Sequence, residues 1–531
     1  MPLLLIRPLY PFFLGIYFVL FVYAENLGDV SLDMLPKPLL TVLLLSAIFF
    51  VILRVLSGSY RIAAPITASL LVLIFLPPSL GELIRGYYRI DTYVVFLLVL
   101  VVTAIFCVSA MRRPGRDITR NRLLNVVAGV LVVVSLLQIT IYEFGALKNT
   151  NGNDTKAFSA LDLPELDAPV EKPDVYYILL DAYSRADVLK DYYGHDNSTF
   201  IRNLEGYGFD VAGLSSANYH RTFYVTPALL NYDYIDYQSA PGAQHMQAVT
   251  HALKAERSDN RVAAIFKAMG YEIFSVRSTG DFLHMSYAQS IMPPRTAAAM
   301  NEFDDAVFET TVLSNVYRYF SSDLVREKRD SVNFVFDQLA SIAEVESPKL
   351  VFAHVMAPHQ PFVFDATGKM PLTYPDFGKD EFLAENIAAY SGQVHYINTR
   401  VEELVRTILS KPGTPPIIII QGDHGLRLSA HKNGRLLYDN TNACYRELYA
   451  NLNAMYLPGE RASEMFHDAV SPVNTFRLVL DSYFGTNLGL LPDRTFFPIF
   501  KEGFVAPEFV DVSAEKETCD TAWESRFTGL N

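Results

Sequence analysis

Two acidic residues and a histidine stand where apolar runs of this chain give way to loops. Asp423 and His424 come shortly after the run Ile417–Ile420, and Asp181 directly follows Val175–Leu180. Such runs predict buried parallel strands, and ligands bind beyond the carboxyl ends of these strands. Carboxylate oxygens and an imidazole nitrogen at one sheet edge predict a divalent-metal site. Taken alone, Asp181 fits a turn or a helix cap equally well.

A threonine between these positions offers a nucleophile. Thr222 precedes the apolar segment Phe223–Leu230, which can begin a helix. A helix N-terminus stabilises anions, so a phosphate or an alkoxide would be favoured there. A free hydroxyl is a weak nucleophile, and metal coordination is sufficient to activate it. A simple N-cap is the alternative for Thr222, and Thr226 is the competing nucleophile.

Two histidines follow at the end of another predicted strand, Lys349–Met356. Either imidazole could protonate a leaving group or hold a phosphate oxygen. His354 lies inside the strand pattern and is expected to be packed in the core. His359 follows the strand between two prolines, so we expect it to reach the site.

Further cationic or ionisable groups come after two of the predicted strands. Arg427 and His431 follow Asp423–His424 and could line an anion pocket. Arg277 and His284 follow the predicted strand Tyr271–Val276 and could bind a substrate at the same sheet edge.

Charge and cysteine content exclude two classes of protein. The 531 residues carry a formal net charge of -13, which argues against a nucleic-acid partner because phosphate backbones attract cations. Three cysteines give no cysteine-rich metal site. A bridge between Cys444 and Cys519 is compatible with an external domain, but their spacing does not decide it.

The first 145 residues read as a membrane domain. Several of five successive apolar runs approach the ~20 residues that a bilayer-spanning helix needs. The runs cover Leu9–Tyr23, Leu39–Leu56, Ile62–Leu80, Tyr93–Met111 and Leu124–Phe144.

Loop charges orient these runs. Five arginines lie in the segment from Arg112 to Arg122, between the fourth and fifth runs. Arg7 before the first run, and Arg54 and Arg61 around the second loop, agree with a cytoplasmic N-terminus. By the positive-inside rule, five spans then place everything after Phe144 outside the cytoplasm. The protein is therefore expected in the inner or cytoplasmic membrane, with its C-terminal domain facing the periplasm or the cell exterior.

The remaining chain divides into a tether and a second domain. Residues 146–173 are rich in turn formers and predict a linker. From residue 174 to 531, strand-like and helical segments alternate, which predicts an α/β domain with a mostly parallel central sheet. The predicted helices are Ala186–Tyr193, Ser198–Tyr207, Asn260–Met269 and one or two within Glu381–Leu409.

The order of these motifs resembles a known family. Strand–Asp, Thr before a helix, Pro-His-x-Pro and Asp-His-Gly resemble the sulfatase-like branch of the alkaline phosphatase superfamily. Within it, the chain looks like lipoteichoic acid synthases and lipid A phosphoethanolamine transferases. Those enzymes also carry five transmembrane helices before an external catalytic domain, so the resemblance covers nearly the whole chain.

The resemblance implies roles for individual residues. Asp181, Thr222, Asp423 and His424 match the metal ligands, Thr222 matches the nucleophile, and His359 matches a histidine that contacts the transferred phosphoryl group. The sequence departs from the transferases in two places. Those enzymes usually have Glu in place of Asp181, and they place a second histidine about a dozen residues after Asp-His-Gly, whereas His431 comes earlier.

The predicted activity is a metal-dependent transfer with Zn or Mn as cofactor. A phospholipid head group moves from a membrane donor to an envelope glycan or lipid acceptor through a phospho-threonine at Thr222. The alternative is a phosphoester or sulfate-ester hydrolase of the same superfamily, and a non-catalytic scaffold is a third hypothesis. Neither Cys-x-Pro-x-Arg nor Ser-x-Pro-x-Arg occurs in the sequence, so sulfate-ester hydrolysis through formylglycine is not expected.

Overall fold

The structure is a computed structural model, and it describes the following parts of the chain. The described residues are 7–25, 32–87, 92–112, 117–151, 172–236, 246–278, 285–293, 302–314, 323–346, 348–371, 383–428, 431–432, 435–436, 444–499 and 507–519.

The chain forms two compact units. One contains Met1–Ser159 together with Arg295–Ser322, and the other contains Ala160–Pro294 together with Asp323–Asn531. The chain therefore passes between the units three times. Sequence analysis did not predict the return of residues 295–322 to the N-terminal unit.

The N-terminal unit begins with five helices, which agree with the five apolar runs. They are α1 (Tyr10–Glu25), α2 (Pro36–Ser57), α3 (Tyr60–Tyr87), α4 (Thr92–Arg112) and α5 (Asp117–Asn151). Three of them are long and apolar enough to cross a membrane, namely α2, α4 and α5, while α1 and α3 contain the shorter apolar segments Tyr10–Ala24 and Tyr60–Leu76. Helix α5 continues past residue 145 into the segment predicted as a linker.

Polar contacts show which helix ends lie together in this unit. Asn125 near the start of α5 accepts hydrogen bonds from the amides of Leu9 (3.0 Å) and Tyr10 (2.7 Å) at the start of α1. Arg61 at the start of α3 pairs with Asp117 at the start of α5, at 2.9 Å. The starts of α1, α3 and α5 therefore share one end of the unit, as alternating helix directions require.

A short helix from the middle of the sequence packs at the opposite end. Helix α11 (Glu302–Glu309) contributes Phe303, which is fully buried with its ring centroid 5.4 Å from that of Tyr23 near the end of α1. Asp304 pairs with Lys37 at the start of α2, at 2.5 Å. One apolar and one ionic contact thus join residues 302–309 to the end shared by α1 and α2.

The second unit is built on a mixed sheet. Seven strands of the described chain form it in the order β2–β9–β6–β1–β5–β3–β4. The strands are β1 (Val175–Leu180), β2 (Asp210–Val211), β3 (Glu272–Arg277), β4 (Gln289–Ile291), β5 (Lys349–Val355), β6 (Ile417–Gly422) and β9 (Asn453–Tyr456). Neighbours from β6 to β4 pair in parallel, and β9 pairs antiparallel with β6 and β2. The predicted mostly parallel sheet is confirmed.

Helices cover both faces of this sheet. They are α6 (Ala186–Tyr193), α7 (Ser198–Gly206), α8 (Thr222–Leu230), α9 (Met246–Ser258), α10 (Arg261–Ala268), α12 (Asp323–Ile342), α13 (Leu383–Leu409), α14 (Tyr445–Tyr449), α15 (Glu460–Met465) and α16 (Pro472–Phe484). Two-stranded ladders are also present, β7 (His431–Lys432) with β8 (Arg435–Leu436) and β10 (Phe496–Ile499) with β11 (Glu508–Asp511). The segment predicted to hold one or two helices is the single helix α13.

Alternation along β1 divides the core into two layers. Ile178 and Leu180 pack with Val335 of α12 and Val394 of α13 on one face. Residues of opposite parity, including Tyr177, pack with α10 and α16 on the other face. Both faces of β1 are buried, which explains why its sequence is a continuous apolar run.

Candidate active site

Strand register brings the two predicted acidic ligands together. Strands β1 and β6 are neighbours, and Leu180 lies opposite Gly422 at their carboxyl ends. Asp181 and Asp423 are the next residues of each strand. Gly422 allows this approach, because a Cβ there would collide with the carbonyl oxygen of Tyr183.

Asp181, Asp423 and His424 form a compact buried cluster. One potential ligand atom from each lies within 4.8 Å of the others. His424 Nε2 is 3.8 Å from Asp181 Oδ1 and 3.4 Å from Asp423 Oδ2. Within the described chain, Asp181 Oδ1 and His424 Nε2 are buried and lack hydrogen-bond partners. Two buried carboxylates and two buried atoms without partners fit a divalent cation, because such groups are otherwise costly to bury.

Backbone contacts fix the ring of His424. Its Nδ1 lies 2.7 Å from the carbonyl oxygen of Gly425, so Nδ1 carries the proton and donates it. The lone pair of Nε2 then faces the two carboxylates, which is the state that a metal-binding histidine requires. Gly425 itself is needed because a Cβ there would collide with the carbonyl oxygen of Glu447.

Asp423 accepts hydrogen bonds on both of its carboxylate oxygens. Its Oδ1 accepts the amides of Ala182 (3.0 Å) and His424 (2.9 Å). Its Oδ2 accepts the hydroxyl proton of Thr222 at 2.6 Å. The carboxylate is therefore held by three donors from three segments of the chain.

Thr222 is the first residue of α8 and lies directly beside Asp423. Its position at the helix N-terminus agrees with the prediction, and Arg221 takes the N-cap place. The competing residue, Thr226, donates its hydroxyl to the carbonyl oxygen of Thr222 at 2.8 Å, as threonines inside helices do. Thr222 is thus the hydroxyl that the fold presents to the carboxylates.

His359 lies at the same edge with two cations beside it. Its backbone amide donates to the carbonyl oxygen of Asp181 at 2.9 Å. Its Nδ1 donates to the carbonyl oxygen of Gln360 (2.7 Å), and its Nε2 lies 3.3 Å from Nη2 of Arg427. Lys328 Nζ donates to the carbonyl oxygens of His359 and Gln360 at 2.7 and 2.8 Å. The predicted residues His359 and Arg427 are therefore neighbours.

His354 is buried, as expected for a histidine inside a strand, but it also reaches the cluster. Its Nε2 lies 3.4 Å from Asp181 Oδ2. From the sequence we expected a core residue, because a position inside a strand does not show which residues of the neighbouring strand lie beside it. The fact that β1 and β5 pair, with Leu179 opposite His354, is what places it beside Asp181.

The two buried carboxyl groups differ in their affinity for protons. Burial and the charge of Asp181 raise the pKa of Asp423 to about 6. Burial also opposes ionisation of Asp181, but the imidazoles of His359, His354 and His424 hold its pKa well below the usual range. Two like charges in one buried site repel each other, and a divalent cation would relieve that repulsion.

Two of the three imidazoles at the site, those of His424 and His359, favour the neutral form. Burial and the cation of Arg427 lower the pKa of His424 to about 3. Burial lowers the pKa of His359 to about 4, with Lys328 and Arg427 acting in the same direction and Asp181 opposing them. Neutral imidazole is the form in which Nε2 binds a metal or accepts a proton.

The structure does not place the other three predicted substrate-binding residues, Arg277, His284 and His431, in contact with the cluster among its described residues. Arg277 ends β3 opposite His354 in register, and its Nη2 donates to Ser290 Oγ (2.8 Å) and Met292 Sδ (3.0 Å). His431 begins the short strand β7, and the structure describes its backbone but not its side chain. His284 lies outside the described residues. Their substrate roles remain predictions.

Lys328 was missed by sequence reasoning. It lies in α12, an amphipathic helix with several charged residues, where one lysine gives no signal. Only the fold brings its ammonium group to the loop that carries His359, and burial there lowers the pKa of Lys328 to about 7.

Solved structures share features with this chain at low identity. EcEptC from Escherichia coli, as its C-terminal periplasmic domain in complex with Zn, is 12% identical, with 69% of this chain and 99% of that chain covered and a TM-score of 0.43. The lipooligosaccharide phosphoethanolamine transferase EptA from Neisseria meningitidis is 13% identical, with 89% and 95% covered and a TM-score of 0.41. A phosphonate monoester hydrolase of Agrobacterium radiobacter is 13% identical, with 67% and 94% covered and a TM-score of 0.40.

Sequence comparison is more decisive. No curated protein matches the chain. The family model of sulfatases matches residues 179–482, which is more than half of the sequence and includes the cluster and Thr222. The chain belongs to the sulfatase family.

Proposed function

We propose that this protein is a membrane-bound, metal-dependent phosphotransferase in which Thr222 is the nucleophile. The observation that carries the proposal is the 2.6 Å hydrogen bond from Thr222 Oγ1 to Asp423 Oδ2. This hydroxyl stands at a helix N-terminus beside two carboxylates and an imidazole. A hydroxyl so placed has an activating group and a site for developing negative charge.

Asp181, Asp423, His424 and the Thr222 hydroxyl would hold the cation. Mixed oxygen and nitrogen donors suit Zn or Mn. When bound, the ion would lower the pKa of the hydroxyl and neutralise charge on the transferred group. The two buried atoms without partners, Asp181 Oδ1 and His424 Nε2, support this assignment.

In the first step, Thr222 Oγ1 gives its proton to Asp423 Oδ2 and attacks the phosphorus of a phospholipid head group. Asp423 Oδ2 orients the hydroxyl through its hydrogen bond. The guanidinium of Arg427 stabilises phosphoryl oxygens, since planar cations recognise such groups well. Diacylglycerol leaves, and the phospho-group remains on Thr222.

His359 exchanges the proton at Nε2. Its Nδ1–H is engaged by the carbonyl oxygen of Gln360, so Nε2 is the atom available for proton transfer. An anionic donor bound beside this ring would favour the protonated imidazole. The protonated Nε2 then serves the leaving oxygen, and the neutral ring accepts the proton of the incoming hydroxyl in the second step.

A membrane donor gives the N-terminal unit a purpose. Apolar side chains on its helices are largely exposed, with Val55 at 75%, Ile105 at 65% and Ile141 at 72%. Such surfaces require an apolar surrounding. With five passages, the second unit faces the periplasm or cell exterior, where an envelope glycan or lipid supplies the acceptor hydroxyl. Arg277, His284 and His431 are the remaining candidates for binding donor or acceptor.

Hydrolysis is the second candidate function, because the same groups serve when water is the acceptor. The sulfate-ester version is disfavoured, since the chain lacks both formylglycine motifs. A scaffold without activity is disfavoured by the buried ligands and the aligned hydroxyl, which a non-catalytic domain would not need.

Release of diacylglycerol from fluorescent phospholipids tests the proposal. The full chain, purified in detergent with Zn or Mn, is incubated with a panel of head groups. We expect release from at least one lipid and its loss in Thr222→Ala. Thr226→Ala is the matched control, because its hydroxyl lies on the same helix and bonds within that helix.

Acceptors then distinguish the two reactions. A transferase deposits the head group on an added envelope glycan or lipid, whereas a hydrolase releases it to water at the same rate with or without acceptor. Metal binding without cleavage of any lipid would contradict the lipid-donor proposal.

A further inference from the structure

Two loops of the active site are held by side chains from a single helix. The turn after β1 carries Asp181, and the loop after β5 carries His359. Helix α13 lies against both of them through Tyr390 and Gln393, which are fully buried and three residues apart. Residues at this spacing share one helix face.

Tyr390 contacts the turn that presents Asp181. Its hydroxyl donates to the carbonyl oxygen of Ala182 at 2.8 Å and accepts the amide of Ser184 at 3.1 Å. Ala182 has φ of +60°, a left-handed conformation that favours glycine. Its amide donates to Asp423 Oδ1, so the strained residue is held from both sides.

Gln393 contacts the loop that presents His359. Its Nε2 donates to the carbonyl oxygens of Pro358 (2.8 Å) and His359 (3.2 Å). Its Oε1 accepts the amide of Val363 at 2.7 Å. One amide side chain therefore bridges the two ends of the loop.

Burial of these polar groups needs a compensating benefit. A polar side chain inside a protein costs free energy unless its hydrogen bonds are made, and an apolar residue would cover the sheet equally well. Apolar residues such as Val394 lie in the core on this helix face, and Asn386 and Asn398 are further buried polar residues on it. Tyr390 and Gln393 form hydrogen bonds to the backbone of the two catalytic loops.

We propose that Tyr390 and Gln393 are positioning residues: Tyr390 sets the geometry of the metal ligand Asp181, and Gln393 sets the position of His359. The inference rests on the proposed function of the site. It assigns the two residues to different steps, because the turn serves metal binding and the loop serves proton transfer. Their loss therefore has separable effects.

Metal affinity and turnover, measured on the same preparations, test this assignment. Zn²⁺ affinity of the full chain in detergent is measured by competition with a chromophoric chelator, and turnover by diacylglycerol release at saturating Zn²⁺. We expect Tyr390→Phe to weaken Zn²⁺ binding about 10-fold or more, as loss of groups that orient ligands does. We expect Gln393→Leu to leave Zn²⁺ affinity unchanged and to lower kcat about 10-fold or more.

Tyr271→Phe is the matched control. Its buried hydroxyl also donates to a backbone carbonyl, that of Pro173 at 3.0 Å, but at the start of β3 and far along the sheet from the loops. It should change neither quantity. If Gln393→Leu does not fold, Gln393→Glu is used in the same test. It keeps an oxygen that accepts the amide of Val363 and loses the N–H groups that donate to Pro358 and His359.

Failure of this inference is distinguishable from failure of the proposed function. A wild-type protein that binds no Zn²⁺ or cleaves no lipid contradicts the proposed function. A wild-type protein that does both, with variants that match Tyr271→Phe or lose stability without separating metal affinity from turnover, overturns the positioning roles.

Discussion

Asp423 and Asp181 have complementary surroundings although both are acidic and buried. Asp423 receives three hydrogen bonds, including that of Thr222, and orients the nucleophile. Asp181 keeps an oxygen without a hydrogen-bond partner among the described residues and faces three imidazoles. Asp423 is therefore suited to orient the hydroxyl as well as to bind the cation, whereas Asp181 is suited to bind the cation alone.

A carboxylate outside the cluster gives a prediction about pH. Asp187 pairs with Arg185 at 2.7 Å and Arg446 at 2.6 Å. Burial opposes ionisation, but the two guanidinium groups prevail and lower the pKa of Asp187 to about 2. Because the folded pKa is depressed, its stabilising effect is present above the unfolded value and is lost as pH falls through the folded value.

We expect Asp187→Asn to lower the free energy of unfolding at pH 7 by about 1 kcal/mol, a value discounted because the side chain is 36% exposed. The difference from wild type should shrink to about half at pH 3. Unfolding of both proteins at the two pH values measures it, and an equal difference at both would refute the assignment.

The position of a site residue within its helix or strand decides whether the sequence could predict it. Asp181, Asp423 and Thr222 end strands or begin a helix, so local pattern identified them. His354 and Lys328 lie inside a strand and a helix, and only pairing of β5 with β1 and packing of α12 bring them to the site. Long-range placement of that kind has no local signal.

Among the elements, α14 links the site to the C-terminal segment. Cys444 caps this helix and is bridged to Cys519 across a separation of 75 residues. Glu447 in the same helix accepts the amide of Leu428, next to Arg427, at 2.9 Å. The bridge left open by sequence spacing is therefore present, and it constrains a helix that supports the Asp-His-Gly loop.

Loss of this bridge should destabilise the protein. Closing a loop of this length restricts the unfolded chain, and we expect Cys444→Ser to lower the free energy of unfolding by up to about 4 kcal/mol. Thermal unfolding with and without reductant measures the effect. Cys107→Ser is the control, since Cys107 is a free cysteine. Reductant that destabilises Cys444→Ser as much as wild type would contradict the prediction.

Regular elements were more predictable than short ones. The period and length of apolar runs identified β1, β3, β5 and β6. The two-residue strand β2 and the docking of α11 depend on distant partners, such as Tyr23 and Lys37 for α11. Nothing in residues 302–309 alone distinguishes a helix that packs on the N-terminal unit from one that packs on the sheet.

For the whole molecule, contacts within the N-terminal unit support the proposed topology. The starts of α1, α3 and α5 share one end, and residues 302–309 pack at the end shared by α1 and α2. Under the proposed topology, the positive-inside rule places the end shared by α1 and α2 outside the cytoplasm.

Cysteine labelling tests this topology. In a Cys107→Ser background, Lys37→Cys should react with a membrane-impermeant thiol reagent in intact cells, and Arg61→Cys should react only after permeabilisation. The comparison is fair because both side chains are well exposed, at 56% and 63%. The reverse pattern would place the catalytic residues in the cytoplasm and contradict the envelope role.

The central claim is that a phospho-group passes through Thr222, and its most direct test is detection of that adduct. Wild-type protein with Zn²⁺ and a cleavable phospholipid, but no acceptor, is quenched in acid, digested and analysed by mass spectrometry. We predict the head-group phosphate on Thr222, and no adduct in Thr222→Ala or after addition of an acceptor. Diacylglycerol release with the phosphate on another residue, or with no covalent adduct, would contradict the account.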